Sequence, residues 1–588
     1  MRERWSRDVA GAEWIRVPVG DDAGRWATRG RSRKVLFVVH NVTSATRLLD
    51  VLPLFHDDFR VQLLVTCTGS SAFRAGVAEL LAETGVPVVP WEQATSTSVD
   101  LAVSASFGGQ LRALTGVLAV MSHGVGYTKR LGTPNTQHPT PGGKAAEVEV
   151  PVFGLSPEWL LDDSGRPVAD ALVLSHPEQL ARLRAVCPEA APTAVLAGDP
   201  CWDRMLAARP CRERYRRALG VGRAQRLVVL NSTWNPESLF GDGPASGDDV
   251  LPSLLPRLTS ELPVDEYRLA AVLHPNIWYG HGPGQIRAWL DRARRAGLTL
   301  VDPLHGWRQA LLAADAVIGD HGSVTYYAAA LGTPVLLGAA PLAGLAPDAP
   351  VHAFVGTAPR LDPALPLRAQ LTRLIDTHSP LPTPAAFTSS VPGESATRLR
   401  RLFYGIIGIP EPDAPALLEP LPLPPFEPAA HTVPLRVLTR LLGSTEISVV
   451  RYAGPHPAPG SAGESHTAVH EDTREQDRLS LADVVFRHGT ADDPRFGSPA
   501  LWTTEVLARH PRCALAVYVT DPGACTARTA DGTLLLLRTE PPSDADPVAC
   551  ASALHAWLAS GKSLHEAVAQ GLTVHTGGAV HRVRVIPG

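Results

Sequence analysis

The turn Asp320-His321-Gly322-Ser323 places polar groups where a protein can bind an anion. An apolar run from Ala316 to Gly319 precedes the turn and predicts a buried strand, and a helix is predicted to follow it. The first N–H groups of a helix lack intrahelical partners, and the helix dipole adds partial positive charge. Together with the hydroxyls of Ser323 and Thr325, the turn therefore predicts a site for a nucleotide diphosphate. The alternative is a structural turn, in which Asp320 and Ser323 only cap the helix.

A second turn, from Met121 to Lys129, carries a histidine and a lysine after another apolar run. His123 is flanked by Gly124, and because an imidazole titrates near neutral pH it can take a proton from a hydroxyl nucleophile. Lys129 can bind phosphate as a point charge. For both residues the alternative is a solvated side chain on a surface turn.

Two further predicted strands end in polar residues. His274 is followed by Pro275, which stops the strand and directs the imidazole away from the sheet. Ser232 and Thr233 follow another apolar run and can contact a nucleotide or its phosphates, and ordinary loop polarity is the alternative. Four such strand ends together favour a single ligand cleft.

Two series of short apolar runs alternate with predicted helices. The first series covers 34–40, 59–66, 86–89, 101–104 and 117–121, and the second covers 226–230, 268–273, 298–301, 316–318 and 335–337. Strands that are apolar throughout predict parallel sheets covered on both faces. The sequence therefore predicts an α/β fold with two doubly wound, Rossmann-like domains that face each other across a cleft.

The chain divides at changes of composition. We predict an irregular leader (1–30), an acceptor-side domain (31–215), a nucleotide-donor domain (216–408), a proline-rich linker (409–434) and a small α+β domain of unknown role (435–588). In the last of these, Asp531-Gly532 predicts a hairpin turn.

Composition narrows the functional classes. The formal net charge of −4 over 588 residues gives no electrostatic basis for binding nucleic acid. The seven cysteines show no C-x-x-C pair, which indicates reduced thiols and a cytoplasmic protein. The histidines are spread too loosely for a metal cluster, so no metal or other cofactor is expected. The longest uncharged run, 322–347, is interrupted by several glycines and by Pro334 and Pro341, so no membrane span is expected, and peripheral association with the inner face of the membrane stays open.

The region 120–340 resembles the CDP-glycerol glycerophosphotransferases, the teichoic-acid polymerase family with the GT-B fold. The resemblance rests on the order and spacing of short motifs, namely Ser122-His-Gly124 with Lys129, Gly198-Asp-Pro-Cys-Trp-Asp203, Asn231-Ser-Thr-Trp234, His274-Pro275, and Gly319-Asp-His-Gly-Ser323 with Gly332-Thr-Pro334. The chain departs from the family where Ser122 replaces Trp, Asn231-Ser232 replaces Ala-Pro, and His321-Gly322 replaces Tyr-Ser. These departures leave the base and the transferred group of the donor open.

The resemblance implies a transferase of cell-envelope polymer biosynthesis, which moves a polyol-phosphate or a sugar from a nucleotide-activated donor, CDP-glycerol or a nucleotide sugar, to a hydroxyl acceptor. It implies that His123 is the base and that His274 holds the donor's phosphates, as the two catalytic residues. The remaining donor-site residues are taken as Lys129, Ser232, Thr233, Asp320, His321, Gly322, Ser323 and Thr325.

Two alternatives stay open. A sugar-nucleotide 2-epimerase would need an acidic residue in the first wall of the cleft, and the sequence identifies none. A non-catalytic GT-B scaffold would bind a nucleotide sugar and act through residues 435–588 on a protein partner.

Overall fold

The structure is a computed structural model that describes residues 13–131, 151–243, 249–426, 428, 431–454, 464–541 and 543–588. All seven cysteines lie within these residues and none forms a disulfide. In the part of the chain thus covered, no helix combines the length and the apolar character that crossing a membrane requires.

The first domain is built on a parallel sheet with the order β2-β1-β3-β4-β5-β6. Its strands are β1 (Arg33–Val39), β2 (Val61–Cys67), β3 (Ser98–Ser104), β4 (Thr115–Met121), β5 (Ala171–Leu174) and β6 (Ala194–Leu196). Its helices are α1 (Ala23–Trp26), α2 (Val42–Val51), α3 (Val77–Thr84), α4 (Trp91–Ser96), α5 (Pro157–Leu160) and α6 (Pro177–Val186). Apolar side chains on both faces of the sheet are buried, as a sheet between two helical layers requires.

The prediction of a strand at 86–89 is wrong. Only Val88 forms a bridge there, to Val65 of β2, because Pro87 and Pro90 lack the N–H groups that a strand needs for its ladder. Two strands that the sequence did not predict, β5 and β6, complete the sheet.

The second domain is built on a parallel sheet with the order β11-β10-β7-β8-β9. Its strands are β7 (Arg226–Ser232), β8 (Tyr267–Leu273), β9 (Leu298–Leu300), β10 (Ala316–Gly319) and β11 (Val335–Leu337). The helices from the domain junction onward are α7 (Pro200–Ala208), α8 (Arg212–Ala218), α9 (Leu251–Glu261), α10 (Pro275–His281), α11 (Pro283–Trp289), α12 (Asp291–Arg295), α13 (Trp307–Ala313), α14 (Ser323–Ala330), α15 (Pro350–Thr357), α16 (Leu367–Asp376) and α17 (Pro382–Thr388). All five strands predicted for this sheet are present, so the prediction of two parallel-sheet α/β domains is confirmed.

Helix α18 (Ser395–Ile407) returns the chain to the first domain. Its Phe403 stacks on Phe55 with the ring centroids 5.6 Å apart. The proline-rich segment then runs along the second domain, where the carbonyl of Leu421 accepts a hydrogen bond from the Tyr215 hydroxyl at 3.3 Å. Residues 427, 429 and 430 of the predicted linker lie outside the described residues.

Residues 1–12 of the predicted leader also lie outside the described residues. The chain that follows is docked on the first domain. The side chain of Gln93 accepts a hydrogen bond from the N–H of Ile15 at 2.9 Å and donates one to its carbonyl at 2.6 Å, and Val19 is buried.

The C-terminal part is a closed barrel around a buried helix, so the prediction of a small α+β domain is wrong. The barrel order is β12-β13-β19-β20-β18-β17-β16-β15-β14, with β14 pairing back to β12. Its elements are β12 (Leu435–Leu441), β13 (Glu446–Tyr452), β14 (Glu464–His470), α19 (Gln476–Ser480), β15 (Val484–His488), α20 (Pro499–Arg509), β16 (Leu515–Asp521), β17 (Ala524–Thr529), β18 (Leu534–Thr539), α21 (Pro547–Ala559), α22 (Leu564–Gln570), β19 (Leu572–Thr576) and β20 (Ala579–Pro587).

Helix α21 explains why the sheet closes. Almost every residue of this helix is buried, from Val548 to Trp557, so it has no polar face to turn to solvent. A helix that is apolar on all sides needs cover on all sides, and a closed barrel supplies it while leaving no unpaired sheet edge.

Candidate active site

A cavity of about 360 Å³ lies between the two parallel-sheet domains. It is lined by residues that follow the carboxyl ends of strands in both sheets, which is where parallel sheets present their ligand sites. His123 from the first domain and His274 from the second both line it. The two histidines predicted at separate strand ends therefore share one site, of a size typical for small ligands.

His123 is a neutral imidazole with a free acceptor nitrogen. Its Nδ1 lies 2.9 Å from the carbonyl oxygen of Ala105, and since a carbonyl only accepts, Nδ1 carries the proton. Burial lowers the pKa of His123 to about 4, and the nearby charges of Arg47, Lys129 and His40 act in the same direction. At neutral pH the Nε2 lone pair is therefore available to a hydroxyl proton, as a general base requires.

His274 has the opposite tautomer. Its Nδ1 accepts a hydrogen bond from the backbone N–H of Asn276 at 3.1 Å, which caps α10, so Nε2 carries the proton. Nε2 lies 3.4 Å from the hydroxyl oxygen of Thr43 in the first domain. Burial, followed by Lys129 and His123, lowers the pKa of His274 well below its ordinary value. The cavity thus holds one imidazole that accepts and one that donates.

Lys129 extends from the first domain toward the second. Its Nζ donates to the hydroxyl of Thr233 at 3.3 Å and lies 5.4 Å from the ring centroid of Trp234. Burial lowers the pKa of Lys129, and the charges of Asp320 and Glu237 oppose that shift. No carboxylate among the described residues forms an ion pair with this ammonium group, which leaves it available to an anionic ligand.

Asp320 organises the donor-side turn from behind the cavity wall. Its fully buried carboxylate accepts hydrogen bonds from the N–H groups of Thr233 at 2.8 Å, Leu239 at 3.1 Å and Gly322 at 2.9 Å, and from the Ser232 hydroxyl at 3.2 Å. The carboxylate faces these donors and does not line the cavity, so its placement favours support of the turn over the predicted contact with a phosphate.

His321 and Thr325 lie behind the wall as well. The hydroxyl of Thr325 accepts hydrogen bonds from the Asn231 side chain at 2.7 Å and from the N–H of Asp320 at 3.2 Å. His321 is buried, and its Nδ1 has no hydrogen-bond partner within the described structure. These two residues therefore support the turn. Neither lines the cavity, so their placement does not favour direct contact with a ligand there.

Ser232, Thr233, Gly322 and Ser323 line the cavity, and their contact with a donor stays a prediction. The Ser232 hydroxyl also accepts a hydrogen bond from the N–H of Phe240 at 2.9 Å, so its role is mainly to hold the loop. Gly322 is the N-cap of α14, and no side chain caps the helix there. The free N–H groups of its first turn therefore face the cavity beside Ser323.

Several cavity residues escaped the sequence analysis. They are chiefly Asn41, Thr43 and Arg47 around the start of α2, with Phe73, Phe153 and Trp307 as apolar walls. The rule that found the other strand ends applies equally to the end of β1, where Asn41 and Thr43 follow an apolar run. No aspartate or glutamate is among the described residues that line the cavity.

Two aromatic side chains bridge the cleft. Phe73 from the first domain meets Trp234 from the second edge to face, with the ring centroids 5.3 Å apart. Within the described part of the chain, no group of three or more His, Cys, Asp or Glu is arranged to hold a metal ion.

No protein-family model matches the chain, and no curated protein matches its sequence. Similar solved structures include the wall teichoic acid polymerase TagF, which is 15% identical, with 64% of this chain and 90% of that chain covered and a TM-score of 0.44. They also include the UDP-GlcNAc 2-epimerase from Neisseria meningitidis bound to UDP-GlcNAc, at 11% identity, with 64% and 99% covered and a TM-score of 0.36. The UDP-GlcNAc 2-epimerase from Methanocaldococcus jannaschii is 11% identical, with 63% and 100% covered and a TM-score of 0.39. A teichoic acid polymerase is thus among the structures to which this chain is similar, as the motif resemblance predicted.

Proposed function

We propose that this protein is a transferase that moves a polyol-phosphate or a sugar from a nucleotide-activated donor to a hydroxyl acceptor. One observation carries the proposal. Two neutral imidazoles, His123 as acceptor and His274 as donor, line the same interdomain cavity beside an ammonium group and an uncapped helix start. Such a site can remove a proton on one side and stabilise a departing phosphate on the other.

The acceptor-side step belongs to His123. Its Nε2 takes the proton of the acceptor hydroxyl while the oxygen forms a bond to the reacting atom of the donor, either a sugar carbon or a phosphorus. The bond from that atom to the nucleotide's phosphate oxygen breaks, and its electron pair leaves with the nucleotide. Because His123 is neutral, no prior deprotonation is needed at neutral pH.

The donor-side step needs groups that stabilise negative charge as it develops on the departing phosphate. His274 supplies Nε2–H, Ser323 its hydroxyl proton and Lys129 its ammonium group, and the first N–H groups of α14 add the positive end of the helix dipole. These groups are fixed before the reaction, so they stabilise charge without costly rearrangement.

The cavity favours this reaction over epimerisation. An epimerase of the kind considered above needs a carboxylate in the cleft, and the described lining contains none. A binding protein without activity would use the same phosphate-binding side chains and N–H groups, but it would have no need for the acceptor nitrogen of His123.

The experiment compares His123→Gln and His274→Gln with the wild type against CDP-glycerol, UDP-sugars and GDP-sugars. We expect H123Q to lose turnover by about 1000-fold and to bind the donor as the wild type does in calorimetry. We expect H274Q to lose both turnover and donor affinity. Donor binding without any turnover in the wild type would establish the binding protein, and wild-type turnover in H123Q would refute the proposed base.

A further inference from the structure

Arg47 contacts the turn that carries His123, residues 121–129, called the catalytic turn below, and it also lines the cavity. It is on α2, about one turn after the helix begins, and only 7% of its surface is exposed. Its Nε donates a hydrogen bond to the carbonyl oxygen of His123 at 3.1 Å. The backbone of the predicted base is therefore attached to a charged side chain of a neighbouring helix.

The guanidinium group is held in place by aromatic rings. Its central carbon lies 5.6 Å from the ring centroid of Trp307 and 5.5 Å from that of Tyr327, both in the second domain. Nη1 is buried and has no hydrogen-bond partner in the described structure, although an oxygen of Asp50 lies 3.8 Å away. A buried guanidinium with an unsatisfied N–H group is costly, so its position calls for a functional reason.

The two carboxylates near Arg47 are engaged by other groups. Asp50 is paired with Arg308 at 2.6 Å and also with Arg204. Asp199 caps α7 through the N–H of Cys201 at 2.9 Å and accepts the Tyr327 hydroxyl at 2.5 Å. The cluster thus sets three guanidinium groups against two carboxylates, and Arg47 has the longest distance to Asp50 of the three, 3.8 Å.

The charges that face His123 come from four elements. Arg47 is on α2, His40 follows β1, Lys129 ends the catalytic turn, and His274 caps α10. Arg47 is the first of the charged groups that lower the pKa of His123, after burial itself. It is also the one that hydrogen-bonds the His123 backbone.

We propose that Arg47 is the positioning residue of His123, which it serves by binding the carbonyl oxygen of the catalytic turn and by placing a fixed positive charge beside the imidazole. This inference rests on the proposed role of His123 as the base. Arg47 thus makes two contributions, a hydrogen bond and a charge, and different substitutions remove them. Arg47→Lys keeps the charge and loses the Nε donor, whereas Arg47→Gln loses the charge and keeps an amide donor.

The kinetic test measures turnover against pH for both variants. Without the charge, the pKa of His123 rises, so in R47Q the acid limb of kcat/KM moves to higher pH. We expect the ratio of kcat/KM at about pH 6 to that at about pH 4.5 to rise about twofold in R47Q, because the wild-type limb lies near the pKa of about 4. In R47K we expect the limb to stay in place and kcat to fall about tenfold, with the donor KM unchanged, because the base is less well aligned.

The matched control is Arg204→Gln. It removes a guanidinium group from the same cluster and weakens the same partner, Asp50, but Arg204 does not contact His123. We expect R204Q to keep the wild-type pH profile. An equal shift of the acid limb in R204Q and R47Q, or an unshifted limb in R47Q, would overturn the proposal.

A second measurement does not depend on turnover. The imidazole signal of His123, assigned by its loss in H123Q, is followed by NMR between about pH 7 and about pH 4. We expect it to begin protonating at higher pH in R47Q than in the wild type or R204Q, and an unchanged titration would overturn the proposal. Absence of turnover in the wild type with every donor would instead refute the proposed function. If R47Q does not fold, wild-type kcat in R47K is the overturning result.

Discussion

The hydroxyl oxygen of Ser323 accepts a hydrogen bond from the backbone N–H of Val125 at 3.2 Å, across the cleft between the two domains. Ser323 begins α14 and Val125 belongs to the turn of His123, so the two halves of the proposed site touch directly. A hydroxyl has one proton and two lone pairs, and Ser323 therefore keeps its proton for a ligand oxygen.

Gly124 makes this contact possible, and its replacement gives the first prediction. A Cβ atom at position 124 would lie 2.7 Å from the Ser323 hydroxyl oxygen, which is too close for any contact. We expect Gly124→Ala to separate the two turns and to lower kcat/KM about 10- to 100-fold, since catalysis is sensitive to displacements near 1 Å. Steady-state kinetics measure the loss, and thermal unfolding is expected to change little. The matched control is Gly284→Ala, where a Cβ meets no atom within 4 Å; wild-type kinetics in G124A would show that the contact is dispensable.

The pH dependence of turnover gives the second prediction. Burial lowers the pKa of His123 to about 4, so the base stays deprotonated well below neutral pH. We expect kcat/KM, which reports the free enzyme, to remain flat from neutral pH down toward about pH 5. A bound diphosphate adds negative charge beside the imidazole and raises its pKa, so the acid limb of kcat is expected at higher pH than that of kcat/KM.

The two profiles are measured on the same preparation at saturating and at low donor concentration. The G284A control, which is remote from the cleft, should keep the acid limb in both the kcat and the kcat/KM profile. If the acid limb of kcat/KM lay at or above that of kcat, the donor phosphates would not lie next to His123.

Much of the two α/β domains could be predicted from the sequence, because fully apolar runs such as Tyr267–Leu273 have few alternatives to a buried parallel strand. The barrel could not be predicted, because its closure depends on pairs of strands that are distant in sequence, among them β13 with β19. Helix α21 is apolar along most of its length, and its sequence does not reveal what encloses it.

The candidate site likewise contains residues that could be predicted from the sequence and residues that could not. His123 and His274 could be predicted because each follows a strand at the same edge of its sheet, and the structure places both at one cavity. Arg47 lies inside a helix, where a sequence shows no difference between a solvated arginine and a buried one. The sequence likewise does not reveal that Asp320 faces backbone donors and not the ligand.

Asp320 gives the third prediction. Its carboxylate accepts hydrogen bonds from three N–H groups, and in Asp320→Asn the amide NH₂ would face at least one of these donors. We expect D320N to lower the free energy of unfolding by about 2–4 kcal/mol and to weaken donor binding by displacing Gly322. Urea unfolding and calorimetry measure the two effects. Ser232→Ala removes one of the donors to Asp320 and the acceptor of the Phe240 N–H, so we expect a smaller loss of about 1–2 kcal/mol there; equal stability of D320N and wild type would contradict the assigned role.

The fourth prediction concerns divalent metals. Lys129, His274 and the start of α14 supply positive charge and N–H donors where the phosphate departs, so we expect turnover to survive treatment with EDTA. Initial rates are compared before chelation, after it, and after Mg²⁺ or Mn²⁺ is added back. Activity that is lost to EDTA and restored by one of these metals would show that the protein groups alone do not balance the charge.

The last prediction concerns the barrel, where His466 of β14 is only 7% exposed and its Nε2 has no hydrogen-bond partner in the described structure. Its ring centroid lies 4.4 Å from that of His555 on α21. Burial, followed by His555, lowers the pKa of His466 to about 3. An unfolded chain binds a proton at this histidine below about pH 6.5, and the folded chain does so only near its own lower pKa. The free energy of unfolding therefore falls as the pH drops through this window, and His466 alone contributes a loss of about 2 kcal/mol by about pH 5.

We expect His466→Leu to remove that part of the pH dependence, measured by urea unfolding at about pH 7 and about pH 5. The exposed His565 provides the control, since His565→Leu should keep the wild-type slope. An H466L protein that loses as much stability on acidification as the wild type would mean that His466 is not held neutral inside the barrel.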